Sequence, residues 1–294
     1  MSTQTEEAPA RGADFHWDWR TGHRSVSQLK EYSPEHGGCP YRWYLHRVAR
    51  DDEGNRLWEK PAAWSPQGSG VHEAAEAWEK SSRTMTLEEA QEVFLESYAR
   101  HINGLAEKTP NFRMWFRSGG FRRTVEQDIE RRCGIGLEQV EKYIRYSLEH
   151  PDEAPAVMPD GQLGVELPFE MDLDGVKVIG YIDNIFIRTN EGWRVRDLKT
   201  GKTPGDDMQL ASYRLALLLT YDIDAEFGDY WMGVSGKPTY EYDLTEWPRD
   251  RLSDEFGKMD QDVKAEEFEP NPTPDGCKMC SYNWACPFKA ADNF

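Results

Sequence analysis

Residues 164–200 read GVELPFEMDLDGVKVIGYIDNIFIRTNEGWRVRDLKT. Three runs rich in β-branched and alternating residues, VELPFEMDL (165–173), VKVIGYIDNIFIR (176–188) and WRVRDLKT (193–200), are separated by the turn sequences DLDG and TNEG. Such runs predict three successive antiparallel strands. Downstream, MQLASYRLALLLTY (208–221) repeats apolar residues at helical spacing, and GDYWMGVSG (228–236) with TYEYDL (239–244) predicts two further strands.

Upstream of the meander the pattern is helical. SVSQLKEYS (25–33) predicts a short helix capped by Ser25 and leading to Cys39, and Tyr41–Val48 predicts a second short helical stretch. Pro61–Gly70 reads as a loop, with Gly70-Val71-His72 opening the next helix. Thr86 and Glu89 form a capping-box pair, and Gly134 with Gly136 is expected to separate two helices before His150. The expected architecture is mixed α/β (α+β), a central mixed sheet flanked by helices. Residues 1–22 read as a loose polar tail and 23–294 as one domain. Within it lie a helical part (23–150), a core (160–245) and a cysteine-rich segment (270–288).

Composition bounds the function. The 294 residues are 38% hydrophobic and 12% aromatic, enough for a real core, so a disordered chain is excluded. With 35 basic against 53 acidic residues the net charge is -18, which argues against bulk electrostatic attraction to nucleic acid but leaves room for a local basic channel. The longest aliphatic run, Leu215–Leu219, is too short for a membrane span. Residues 1–13 carry no secretory pattern, so a cytoplasmic protein is expected.

The chemistry is concentrated near the end of the meander. Asp183 lies in the second predicted strand and Asp197-Leu198-Lys199 ends the third, so a hairpin brings two carboxylates and an amine together. Asp197 and Lys199, two apart in a strand, share a face. Two carboxylates can hold Mg²⁺, an ion that polarises a phosphoryl oxygen and acidifies bound water, while a lysine stabilises developing negative charge. The tripeptide alone is common on protein surfaces. Around it, His72 with Glu76, and Gln209 with Tyr213, each share a helical face.

Five cysteines are present. Cys133 continues the helical series Phe121, Val125, Ile129 and reads as a small core hydrophobe. Cys277, Cys280 and Cys286 form C-x2-C-x5-C, and Cys39 stands alone near the other end. In a reducing compartment, grouped thiols read first as metal ligands; four thiolates hold zinc or an iron-sulfur cluster, and composition does not choose between them. A basic and aromatic stretch, 111–132, carries Arg113, Arg117, Arg122 and Arg123 among Phe112, Trp115, Phe116 and Phe121, a combination suited to single-stranded DNA. A second such patch runs from Tyr41 to Arg50.

Taken in order, these motifs resemble the RecB-like and Cas4-like nucleases of the PD-(D/E)XK superfamily from about Ser25 to Pro287. The carriers are S-x-S-x-L-x-x-Y with C-P (Ser25, Ser27, Leu29, Tyr32, Cys39, Pro40), G-x-H, the glutamate Glu166, G-x-I-D, D-x-K, Q-x-x-x-Y and the terminal C-x2-C-x5-C-P. The resemblance implies a restriction-endonuclease-like core whose N- and C-terminal segments join at a 4Fe-4S cluster on Cys39, Cys277, Cys280 and Cys286. It implies Mg²⁺ or Mn²⁺ on His72, Asp183, Asp197 and the Leu198 carbonyl, with Lys199 catalytic, Glu166 supporting, and Gln209 and Tyr213 arranging the lysine and the DNA. The imidazole in that set tolerates softer ions, so activity with Mn²⁺ is expected to exceed that with Mg²⁺. The implied activity is a DNA exonuclease acting on single strands or ends, 5′ to 3′, in recombination, repair or processing. The alternatives are a structure-dependent or CRISPR-adaptation-type endonuclease and a non-catalytic DNA-end-binding protein. No G-x-x-x-x-G-K-S/T occurs, so a helicase or recombination partner would be a separate chain.

Overall fold

A computed structural model describes residues 18–118 and 122–290. Most of the expected N-terminal tail and Phe121 therefore lie outside the described residues. The helical part comprises α1 (Val26–Tyr32), α2 (Pro40–Arg47), α3 (Trp64–Lys80), α4 (Leu87–Lys108) and α5 (Val125–Glu149). The sheet begins with β1 (Val165–Leu173), β2 (Val176–Arg188) and β3 (Gly192–Lys199), continues through α6 (Asp207–Tyr221) into β4 (Phe227–Met232), and ends in the short β5 (Lys237–Pro238) and β6 (Tyr242–Asp243). Helices α7 (Arg249–Lys264) and α8 (Pro274–Lys278) follow.

Strand order is β1-β2-β3-β4-β5, with β6 also on β4. The first three strands form the expected antiparallel meander, and β4 returns parallel to β3 after the α6 crossover, so the sheet is mixed. Its two faces bury two cores. One packs Ile182, Val195 and Met232 against α1, α6 and α7; the other packs Leu198 and Trp231 against α3, α4 and α5. Alternation along β3 therefore turns Asp197 and Lys199 toward α6 while Leu198 faces α3.

Capping behaves as its chemistry requires. Ser25 accepts from Gln28 N, and Thr86 with Glu89 closes a full capping box. Two helix boundaries differ from expectation, both because glycines serve packing. Helix α5 runs unbroken through Gly134 and Gly136, and α3 starts at Trp64, so Gly68 and Gly70 lie inside it rather than ahead of it. A Cβ at Gly136 would sit 2.0 Å from Phe94 Cζ, and one at Gly70 2.9 Å from Phe94 Cδ2. The Phe94 ring of α4 is thus held between two glycines on neighbouring helices. Gly136→Ala is expected to lower unfolding free energy by about 1–3 kcal/mol through overpacking. Gly134→Ala, whose Cβ meets open space on the same helix, should instead raise it by roughly 0.5–1 kcal/mol. Urea unfolding of both variants checks the pair, and equal destabilisation would remove the packing explanation.

The segment around α1 is tied to α7. Buried Arg24 donates Nε to Asp260 Oδ1 at 2.9 Å, and Tyr32 donates to Asp262 at 3.2 Å. Below the sheet, Arg196 forms a two-pronged pair with Asp229 (2.6 and 2.8 Å) and a third bond to Glu153 (2.7 Å), while Arg188 meets Glu153 at 2.8 Å. Among the described residues no helix is long and apolar enough to cross a membrane.

Candidate metal and nuclease site

The β2–β3 register pairs Asn184 with Arg196, which sets Asp183 and Asp197 beside each other across the two strands. Asp183 Oδ2 accepts the Leu198 N–H at 2.9 Å. Helix α3 contributes His72, whose Nε2 donates to the Leu198 carbonyl at 2.9 Å. That bond fixes the ring, and Nδ1 then faces Asp183 Oδ2 at 3.4 Å and Glu166 Oε1 at 3.6 Å. Glu166 reaches this position from a strand residue with φ of +48°, an unfavourable conformation for a side chain other than glycine and of a kind that clusters at functional sites.

With Nε2–H committed to a carbonyl, a neutral imidazole points its Nδ1 lone pair at two carboxylates. Such an arrangement calls for a cation between them. Burial alone would push the His72 imidazole down, but Asp183 and Glu166 outweigh it and raise it, so positive charge at this position is favoured. The Asp183 carboxyl is raised by burial and by Asp197 beside it. One ligand atom from each of His72, Glu166 and Asp183 falls within 4.8 Å of the others, and a histidine that gives its second N–H to a backbone carbonyl is the usual setting of a metal-bound imidazole. The donor set therefore fits a divalent ion.

Asp197 has separate partners. Its Oδ2 lies 2.5 Å from Lys199 Nζ, and its Oδ1 accepts from Gln209 Nε2 at 2.5 Å and from the Tyr213 hydroxyl at 3.1 Å. Gln209 Oε1 accepts from Lys199 at 3.1 Å. Burial and the two aspartates push the Tyr213 hydroxyl well up, so it remains a donor. The structure thus gathers His72, Glu166, Asp183, Asp197, Lys199, Gln209 and Tyr213 at one place. The Leu198 carbonyl stands there too, engaged with His72.

The four candidate cluster thiols line one cavity without forming a close group among the described residues. Gly38 brings Cys39 against the end of α1, where a Cβ at residue 38 would lie 2.5–2.7 Å from three carbonyl oxygens, and Cys39 N bonds to Glu31 O. Cys39, Cys277, Cys280 and Cys286 line one cavity, with Asn271 N donating to Cys39 Sγ at 3.3 Å and Ala290 N to Cys277 Sγ at 3.4 Å. Burial pushes the Cys280 and Cys286 thiols up, and neighbouring thiols add to this. Among the described residues these sulfurs do not fall within the 4.8 Å mutual separation that marks the His72 group. Cys133 is half-buried against the α3–α5 core.

A model of the PD-(D/E)XK nuclease superfamily matches residues 23–287. The chain belongs to that superfamily. Membership of the PD-(D/E)XK superfamily makes it a metal-dependent nuclease, and the mixed sheet flanked by helices agrees with that fold. It is 41% identical over 290 residues to the Gene 69 protein of Mycobacterium phage L5 and 42% identical over 272 residues to that of Mycobacterium phage D29. Each match covers 90% of this chain and 96% of the relative. The crystal structure of SSO0001 is 20% identical, covering 56% of this chain and 77% of that one at a TM-score of 0.34.

The arginine-rich stretch is only partly as expected. Arg113, Arg117, Arg122 and Arg123 are exposed, but Trp115 and Phe116 are buried and unavailable for stacking on bases. Arg132 supports the fold, bonding Gln67 Oε1 at 2.9 Å; Gln67 in turn bonds Gln139, which donates to the Thr200 carbonyl. Sequence reasoning overlooked Lys30, whose Nζ donates to Gln209 Oε1 at 3.2 Å. Nothing local to residue 30 signals a partner so distant in the chain.

Proposed function

We propose that this nuclease is a DNA exonuclease of the Cas4-like type, acting on single strands or DNA ends, 5′ to 3′, in recombination, repair or processing. The observation that carries the reading is the His72 Nδ1 directed at Glu166 and Asp183 beside the Asp197–Lys199 pair. Mg²⁺ or Mn²⁺ on His72, Glu166 and Asp183, with Asp197 adjoining, supplies Lewis acidity and an acidified water when bound. The chain's own residues do the rest. The Leu198 carbonyl orients the imidazole. Lys199 carries positive charge toward the phosphate, and Gln209 with Tyr213 holds Asp197 and the lysine in register.

A 4Fe-4S cluster on Cys39, Cys277, Cys280 and Cys286 completes this reading. Its support is the shared cavity and the two backbone N–H groups aimed at sulfur. The test is a time course on end-labelled linear and circular DNA, single- and double-stranded, with Mg²⁺ or Mn²⁺, and metal analysis of the same protein. Expected are loss of linear single strands from the 5′ end, sparing of circles, and bound iron. Cutting of circles at the same rate would replace the exonuclease by an endonuclease, and zinc without iron would remove the cluster.

A further inference from the structure

Beside Lys199 an open cavity of about 490 Å³ lies between α1, α2 and α6, lined by Lys30, Arg42, His46, Arg47, Lys199 and Gln209 among others. Lys30 Nζ and Lys199 Nζ both donate to the single Gln209 Oε1, at 3.2 and 3.1 Å, so two ammonium groups stand no further apart than the sum of those distances. The neutral amide oxygen adds no counter-charge, and Lys199 is paired with Asp197 Oδ2 at 2.5 Å. Asp206, at 3.6 Å, partly balances Lys30. Arg42, which also lines the cavity, donates Nη2 to the Glu31 carbonyl at 3.3 Å. Glu31 is engaged with His46 at 2.8 Å and Arg47 at 3.0 Å, so it is not a free counter-charge to Lys30.

Lys30, held by an amide oxygen and by a carboxylate 3.6 Å away, shares this cavity with the guanidinium of Arg42, a combination suited to a singly charged oxyanion that presents two oxygens. We propose that Lys30 and Arg42 bind the DNA phosphate next to the one being cut, so that the strand leaves the catalytic lysine along the α1–α2 groove. This inference rests on the nuclease reading of the Lys199 site. Lys30 is then a substrate-binding residue, and the exposed arginines of 113–123 need not carry the first phosphates beyond the cut.

The test is binding of a labelled single-stranded oligonucleotide across a salt series without divalent ion, using the full chain. Lys30→Met should weaken binding about 10-fold, the loss of one charge-assisted contact, and reduce the slope of log affinity against log salt by about 0.7. Arg42→Met should do likewise, and Lys30→Arg should restore the slope. Wild-type affinity and slope in both methionine variants would overturn the proposal. So would a weakened Lys30→Met protein whose slope is unchanged, since that marks support of the fold rather than a phosphate contact. Failure of the wild-type protein to cut DNA with either ion would remove the nuclease reading without altering these slopes, and failure to bind DNA at all would remove both.

Discussion

Lys199→Ala is expected to cut DNA about 10³-fold more slowly than the wild-type protein while keeping its fold and its ion affinity. The ammonium stands 2.5 Å from Asp197 at the end of the D-x-K strand and is braced by Gln209. Removing a preorganised charge aimed at a developing negative charge costs on the order of 10²–10³ in rate. Its bonds go to Asp197 and Gln209 and not to His72, Glu166 or Asp183, so those ligands stay in place. Asp183→Asn should lose at least as much activity, and with it ion affinity, because it removes a charge from the ligand set and leaves His72 facing Glu166 alone. Single-turnover cleavage, together with calorimetric titration of Mn²⁺, separates the two. A Lys199→Ala protein within tenfold of wild-type rate would sink the assignment.

The largest effect on stability is expected at Arg196. The residue is 4% exposed, and its guanidinium satisfies Asp229, itself 2% exposed, together with Glu153. Burial would raise the Glu153 carboxyl, but Arg196 and Arg188 outweigh it and hold it to about 2. Arg196→Met leaves a buried aspartate without its partner, a change that costs about 3–5 kcal/mol. Arg196→Met combined with Asp229→Leu should recover most of this, since an apolar pair of similar volume needs no compensating charge. Urea midpoints of the single and double variants provide the measurement. If the double variant is no more stable than the single one, the loss lies in packing around Phe186, over whose ring Arg196 lies at 4.6 Å, and not in charge.

Much of this was legible in the residues because it is local or periodic. The meander declared itself through alternation and two turn sequences, and D-x-K placed two side chains on one face of a strand whose partner held Asp183. Q-x-x-x-Y worked for the same reason, one helical turn separating two groups that meet on Asp197. Features that depend on what a residue meets elsewhere stayed hidden. Gly70 and Gly136 looked like punctuation, and only the Phe94 ring between them shows otherwise. The bond from His72 to the Leu198 carbonyl, 126 positions away, likewise had no local signal. Helix α7 was overlooked although Leu252, Phe256, Met259 and Val263 carry a helical apolar period; its polar remainder diluted the signal.

The pairing of Arg24 with Asp260 bears on how the chain is made. A ribosome delivers residues 24–47 early, yet the partners of Arg24 and Tyr32 emerge only with α7, after the whole sheet has been synthesised. Until then a cation that ends fully buried has no counter-charge, so the opening segment cannot settle on the sheet ahead of the rest. Vectorial synthesis therefore makes the last quarter of the chain the step that commits the first fifth. A chain truncated before Asp260 should retain the helices of the α3–α5 layer but leave its beginning open to proteases.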